Sequence, residues 1–295
     1  MKGPASMKVL LFGATGQVGQ EIGRHASRFS VEIDPVDRAQ VDLSKAGQAA
    51  AYIERGAYGG VINAAAYTAV DAAESDMRAA TAVNADAPGE MAMACARAGL
   101  PLIHYSTDYV FDGSATQPLV ETDRTGPLGV YGRTKLGGED AVRASGCAHV
   151  IIRLSWVFSA HGRNFVKTML QLGREQGQVR VVADQVGTPT PAADAACAGL
   201  TALNALARHP ACAGTYHFAG EPPLSWAAFA DAIFERAGLD VTVTPISTSD
   251  YPTRAKRPAY SGLSGEAFAR AFGMPAADWR AGLADVIDEL AAKAC

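Results

Sequence analysis

Lys8-Val-Leu-Leu-Phe12-Gly13-Ala-Thr-Gly16-Gln-Val-Gly19 decides how the chain is read. A short apolar run ends at Gly13, and three glycines follow in GxxGxxG spacing. A helical stretch, Gln17 to Arg28, opens from that turn. Glycine lets a backbone turn tightly and approach a ligand without a Cβ clash. A helix beginning there offers free N–H groups and a positive dipole end to a phosphate. Strand, turn and helix in this order predict a dinucleotide site, with Gly13, Gly16, Gln17 and Val18 at the diphosphate.

The alternation continues outward. Strands are predicted at Val31–Val36 (weakened by Pro35), Gly60–Asn63, Leu102–Ser106 and His149–Arg153. Helices are predicted over Asp76–Gly99 and Tyr131–Ala144. Strands spaced by helices imply right-handed βαβ units. The expected fold is α/β, a Rossmann-like doubly wound parallel sheet with a smaller C-terminal substrate-binding lobe. After about residue 158 the alternation weakens and prolines punctuate the chain. The expected division is therefore 7–158 for the NAD(P)-binding part and mainly 159–295 for the second lobe, with segments free to cross back to the sheet.

An acidic residue near the end of the second strand should receive the adenosine ribose hydroxyls. Asp37 stands there, and Arg38 follows. A carboxylate favours NAD, whereas a guanidinium accepts the 2′-phosphate of NADP. The pair points to NADPH or NADH. Asp42 and Leu43 lie where a following loop touches the adenine. Ala64, Ala65 and Ala66 follow the third strand, at the edge where ligands sit in open α/β sheets.

Tyr131-Gly-Arg-Thr-Lys135 puts a phenol and an amine on one face of a helix. Tyrosine titrates near pH 10, and a neighbouring ammonium favours its phenolate. The pair therefore serves as a proton donor to a carbonyl oxygen, with Lys135 also available to a nicotinamide ribose. Ser106 or Thr107, ending another strand, offers a hydroxyl to polarise that carbonyl.

The chain has 295 residues, 48% hydrophobic and 19% charged, with a formal charge of −4. That is globular composition with no basic block, so neither nucleic acid nor acidic membrane is an expected partner. No apolar run approaches bilayer length. Five scattered cysteines form no CxxC, and the histidines form no ligand cluster, so no metal site and no disulfide framework are expected. The expected compartment is the reducing cytoplasm. Either Met1 or Met7 is the natural start.

Four segments carry a family resemblance: Gly13–Gly19, Asn63-Ala-Ala-Ala-Tyr-Thr-Ala-Val-Asp71, His104-Tyr-Ser-Thr-Asp-Tyr-Val-Phe111 and Tyr131–Lys135. They resemble the extended short-chain dehydrogenase/reductases and, more narrowly, the dTDP-4-dehydrorhamnose reductase family. The likeness continues through Arg153-Leu-Ser-Trp-Val157, Asn164-Phe-Val-Lys-Thr-Met169, Asp184–Thr190 and Arg257-Pro258. It covers nearly the whole chain. The resemblance implies NAD(P)H-dependent reduction of the C4 keto group of dTDP-4-dehydro-β-L-rhamnose, the step that completes dTDP-rhamnose for surface polysaccharide such as lipopolysaccharide.

Carried onto this sequence, the resemblance makes Tyr131 the proton donor, Lys135 its modulator and ribose ligand, and Thr107 the third catalytic member. It assigns Val70, Asp71, Thr107, Asp108 and Trp156 to the sugar-nucleotide site, with Glu74 nearby. Arg254, Lys256 and Arg257 match a basic, proline-flanked segment suited to a diphosphate; Arg254 and Arg257 are the substrate candidates. Two departures stand out. Gly137-Gly138 replaces an expected Ala-Gly, a helix weakening of about 1 kcal/mol. Ala193 replaces a glutamate by which some relatives hold an interface Mg²⁺, so the chain is expected as a monomer or a homodimer without that bridge. The competing readings are an epimerase or dehydratase on the same scaffold, and a non-catalytic NADP-binding module like the regulatory subunit of methionine adenosyltransferase.

Overall fold

The computed structural model describes residues 6–293. Met1, one of the two candidate starts, and Cys295, the last of the five cysteines, lie outside them. Six strands form one parallel sheet. β1 is Met7–Phe12, β2 Val31–Val36, β3 Gly60–Asn63, β4 Leu102–Thr107 and β5 His149–Leu154. The sixth strand is Gly214–His217, and the order is Gly214–His217, β5, β4, β3, β1, β2. Every neighbouring pair is parallel. β1 thus lies between β2 and β3, and the crevice at this reversal is where open α/β sheets bind ligands.

Burial on both faces explains why the inner strands β1, β3 and β5 read as apolar runs rather than alternating ones. Val9 and Leu11 enter one core with Ile22, Ile62, Ile103 and Leu203. Leu10 and Phe12 enter the other with Val61, Met91, Cys95 and Ile151. Pro35 is tolerated because β2 is an edge strand, paired only with β1.

Two helical expectations are refined. The first helix, α1, is α-helical over Gln17–His25 and tightens to a 3-10 turn over Ala26–Phe29. The Asp76–Gly99 stretch is interrupted: helix at Met77–Thr81, a π turn at Ala82–Asp86, then helix at Ala87–Ala98. Pro88 lacks a backbone donor and sits in the first turn of the last piece. Asn84 anchors the π turn, accepting from Tyr67 N–H at 2.8 Å and donating to the Thr134 hydroxyl at 3.2 Å.

Beyond residue 158 the chain is shared between two cores. Helix Ala192–Arg208 returns to the sheet and packs beside α1, and Gly214–His217 joins the sheet itself. The remainder builds a smaller lobe around Phe158, Val166, Phe229, Ile233, Trp279 and Leu283. Its helices are Phe165–Glu175, Trp226–Ala237 and Trp279–Ala292, with a two-stranded parallel ribbon of Gln178–Val182 and Thr242–Ile246. Cys95, Cys147, Cys197 and Cys212 are free thiols. No helix among the described residues is long and apolar enough to cross a membrane.

Candidate active site

A cleft of about 970 Å³ opens along the carboxyl edge of the sheet, between the two lobes. Register brings its floor into line: Phe12 pairs with Asn63, Asn63 with His104, and Thr107 with Leu154. The glycine turn sits at the centre. Gly13 has φ +82°, and a Cβ there would lie 2.5 Å from the Ala65 nitrogen. A Cβ on Gly19 would lie 2.1 Å from the Gly13 carbonyl oxygen. These two positions therefore require glycine if the β1 turn, the β3 end and α1 are to pack this closely. At Gly16 the only contact a Cβ would meet within 4 Å is the Gly13 oxygen, so its other side faces open space. Among the described residues no side chain caps α1, and no acid stands in its first turn. Free donors, dipole and space fit a diphosphate.

Gly13, Gly16, Gln17, Val18, Asp37, Arg38, Asp42, Leu43 and Ala64 to Ala66 all line this cleft. Asp37 closes the turn after β2, its Oδ1 accepting from Ala39 N–H at 2.8 Å and Gln40 N–H at 3.0 Å. Its Oδ2 has no hydrogen-bond partner among the described residues. Arg38 is 86% exposed, with Nε 3.8 Å from Asp42 Oδ1, so that ion pair is weak. Asp42 accepts from the Ser44 hydroxyl and N–H, which hold its carboxyl below the usual range.

At the other end Thr107, Asp108, Tyr109, Tyr131 and Lys135 converge. Burial pushes the Tyr131 phenol up to about 12; the Thr107 hydroxyl pulls against that and the Asp108 carboxylate adds to it. The phenol thus holds its proton at neutral pH. Burial brings the Lys135 ammonium down to about 8, countered by Glu139 one turn on. Lys135 Nζ donates to the Tyr105 carbonyl at 2.7 Å. Between Ser106 and Thr107 the geometry discriminates. The Ser106 hydroxyl donates to Glu139 Oε1 at 2.6 Å, whereas the Thr107 hydroxyl donates to Asp108 Oδ1 at 3.0 Å and acts on the Tyr131 phenol, favouring its phenolate.

Behind these groups lies a buried ionic network that sequence reading missed. Arg153 donates from Nε and Nη2 to the two oxygens of Glu139, at 2.9 and 2.7 Å. Arg143 adds a bond of 3.1 Å. Burial disfavours the Glu139 carboxylate, but Arg153, Ser106 and Arg143 outweigh it and hold the acid ionised. Removing one partner of such a buried pair costs about 3–5 kcal/mol. The network ties β4, β5 and the Tyr131 helix (Val130–Ala144) together. Glu74 caps the start of that helix, accepting from Val130 N–H at 2.7 Å.

On the substrate side, Val70 and Trp156 line the cleft. Asp71, Arg254 and Arg257 do not. Asp71 instead pairs with Arg257 at 2.7 Å and accepts from Ala255 N–H at 3.0 Å. Arg254 and Lys256 are exposed. Arg257 Nη1 is buried without an acceptor among the described residues. Asp108 is buried, and burial pushes its carboxyl up to about 6 despite hydroxyl contacts from Ser261, Thr107 and Ser155. Trp226, Gly162 and Arg163 also line the cleft and were not singled out from sequence. Among the described residues, no group of three or more His, Cys, Asp or Glu is arranged to hold a metal ion.

The family model described as RmlD substrate binding domain matches residues 7–292. A dTDP-4-dehydrorhamnose reductase of Burkholderia thailandensis is 44% identical over 286 residues, covering 93% of this chain and 96% of the relative. The chain belongs to the dTDP-4-dehydrorhamnose reductase family. A second such reductase, from Mycobacterium tuberculosis, is 40% identical over 96% of this chain and 93% of its own. Among solved structures, a dTDP-4-dehydrorhamnose reductase of Clostridium acetobutylicum superposes with TM-score 0.90 at 38% identity, covering 97% of this chain and all of that one. One from Bacillus anthracis, in complex with NADP, gives 0.89 at 33% identity over 96% and 99% of the two chains. The departure from Ala-Gly is at Gly137, where a Cβ would meet the Ala85 Cβ at 3.4 Å, whereas Gly138, the expected glycine, is the position of closest approach. A Cβ on Gly138 would lie 2.1 Å from the Asn84 carbonyl oxygen, so the Tyr131 helix meets the π turn through a glycine.

Proposed function

We propose that this protein is an NAD(P)H-dependent oxidoreductase that reduces the C4 ketone of dTDP-4-dehydro-β-L-rhamnose to dTDP-β-L-rhamnose. The observation that carries the reading is the meeting of Tyr131, Thr107 and Lys135 with the glycine turn in one cleft, in a chain of this family. A bound dihydronicotinamide supplies the hydride, which adds to the sugar C4. The electron pair of the C=O bond moves onto oxygen, and the Tyr131 Oη proton passes to it, giving the alcohol. Thr107, whose hydroxyl donates to Asp108 Oδ1 at 3.0 Å, turns that single donor to the same oxygen, stabilising charge as it develops. The Lys135 ammonium offsets the phenolate left on Tyr131.

Arg38 is proposed to favour the 2′-phosphate of NADPH, and Asp37 the ribose diol. Asp108 and Trp156 are proposed to line the sugar, and Arg257 to act near the substrate diphosphate, which would give its buried Nη1 an acceptor. Arg254 is proposed as a further cation for that diphosphate. The reaction fits the cytoplasm and feeds surface polysaccharide. Incubation of the protein with dTDP-4-dehydrorhamnose and NADPH tests the proposal. Loss of reduced-nicotinamide absorbance with formation of dTDP-rhamnose is expected; folded protein that oxidises no cofactor would defeat it.

A further inference from the structure

The loop 159–164 leaves the small lobe and is fastened to the first turn of α1. Gln17 Oε1 accepts from the Ser159 hydroxyl at 2.8 Å and from Asn164 Nδ2 at 2.8 Å. Asn164 Nδ2 also closes the loop onto the Ser159 carbonyl at 2.8 Å. His161 Nε2 lies 2.9 Å from Glu21 Oε1, one turn further along α1. Gly162 takes φ +57°, and a Cβ there would lie 3.6 Å from Gln17 Cγ. The loop is thus held against the helix end that fits a diphosphate.

Beside Gly162, Arg163 supplies the exposed side chain of this loop at the cleft. It has no ion pair and no side-chain hydrogen bond among the described residues. The acids that line the cleft, Asp37, Asp42 and Asp108, belong to its two ends rather than to the glycine turn. A guanidinium without a partner, set beside helix donors, is chemistry for an anion.

We infer that Arg163 binds the diphosphate that links the two halves of the dinucleotide, clasping it from the second lobe against the α1 N-terminus. This rests on dinucleotide use by the cleft, but not on turnover. Both NADH and NADPH carry that diphosphate, whereas only NADPH carries the 2′-phosphate proposed for Arg38. The two arginines therefore have different signatures.

The test is calorimetric titration of NADH, NADPH and dTDP, each alone, into wild type, Arg163→Ala, Arg163→Lys and Arg38→Ala. Arg163→Ala should weaken NADH and NADPH by the same factor, about tenfold, with dTDP unchanged. Arg163→Lys should recover part of the loss, because a point charge remains. The affinity of Arg163→Ala should also fall less steeply with salt. Arg163→Gln serves the same comparison if the alanine variant melts early. Dinucleotide affinities within twofold of wild type would overturn the inference. So would a loss confined to NADPH, or one that appears for dTDP instead. A protein that binds NADPH yet reduces no sugar would sink the reductase reading and leave this one standing. A competent reductase with unchanged Arg163→Ala binding would do the reverse.

Discussion

The indole rings of Trp156 and Trp226 stack with centroids 3.4 Å apart and planes 7° from parallel. Trp156 holds φ +46°, a left-handed conformation that costs a bulky residue about 1–3 kcal/mol. Gly187 packs against the indole, and a Cβ there would lie 2.3 Å from it. Phe165 tilts onto Trp226 at 4.5 Å, so the stack is backed by the small lobe. The strain is held by packing on both sides and fixes one indole at the cleft wall.

Trp226→Ala should therefore raise the KM for the sugar nucleotide about tenfold while kcat changes less, because Trp156 loses its support. Trp226→Phe should restore most of the binding. Near-ultraviolet circular dichroism reads the stacked pair directly. Loss of its signal with an unchanged KM would show that the stack does not position substrate.

Tyr131→Phe should lower kcat by about 10²–10⁴-fold, because only the proton donor is lost. NADPH affinity, measured by titration, should stay close to wild type. Full activity in that variant would remove Tyr131 from the chemistry.

Arg38→Ala should weaken NADPH more than NADH. The exposed guanidinium has only a loose contact with Asp42, so little of the fold depends on it. Equal losses for the two cofactors would show that Arg38 does not read the 2′-phosphate.

Asp108 gives a signed pH dependence. Its folded carboxyl titrates near 6 and its unfolded one near 4, so between those values the native state binds more protons. Its stabilising contribution is fully present below the unfolded value and is lost as pH rises through about 6. Asp108→Asn lacks this loss. The melting temperature of the variant relative to wild type should climb between about pH 4 and pH 7; a flat difference would contradict the shift.

Two adjacent glycines separate propensity from packing. Helix propensity alone favours alanine at both Gly137 and Gly138, by about 1 kcal/mol. At Gly137 a Cβ would meet only the Ala85 Cβ at 3.4 Å, so Gly137→Ala should be neutral or stabilising. At Gly138 it would strike the Asn84 carbonyl, so Gly138→Ala should lower stability and disturb the Tyr131 helix. Denaturant unfolding of the two variants distinguishes them.

The sheet and the glycine turn were legible because both are written locally, in apolar runs and in glycine spacing. Thr107, Tyr131 and Lys135 were legible for a similar reason: a strand end and one helical turn. What escaped the sequence is what depends on distant pairing. Glu139 and Arg153 look like ordinary surface charges until the fold buries them together. Trp226 and Arg163 meet the cleft only because the small lobe folds back on it. Asp71 and Arg257, expected at the substrate, also pair with each other at 2.7 Å, a contact between distant segments that spacing does not show. The π turn at Asn84 is invisible in an alanine-rich stretch that reads as one helix.

Isotope transfer tests the central claim most directly. NADPH carrying deuterium at the transferable position of its nicotinamide should deliver the label to C4 of the rhamnosyl product, at a rate that falls with Tyr131→Phe. Product without deuterium at C4, or no product from folded protein that binds NADPH, would contradict hydride delivery beside Tyr131.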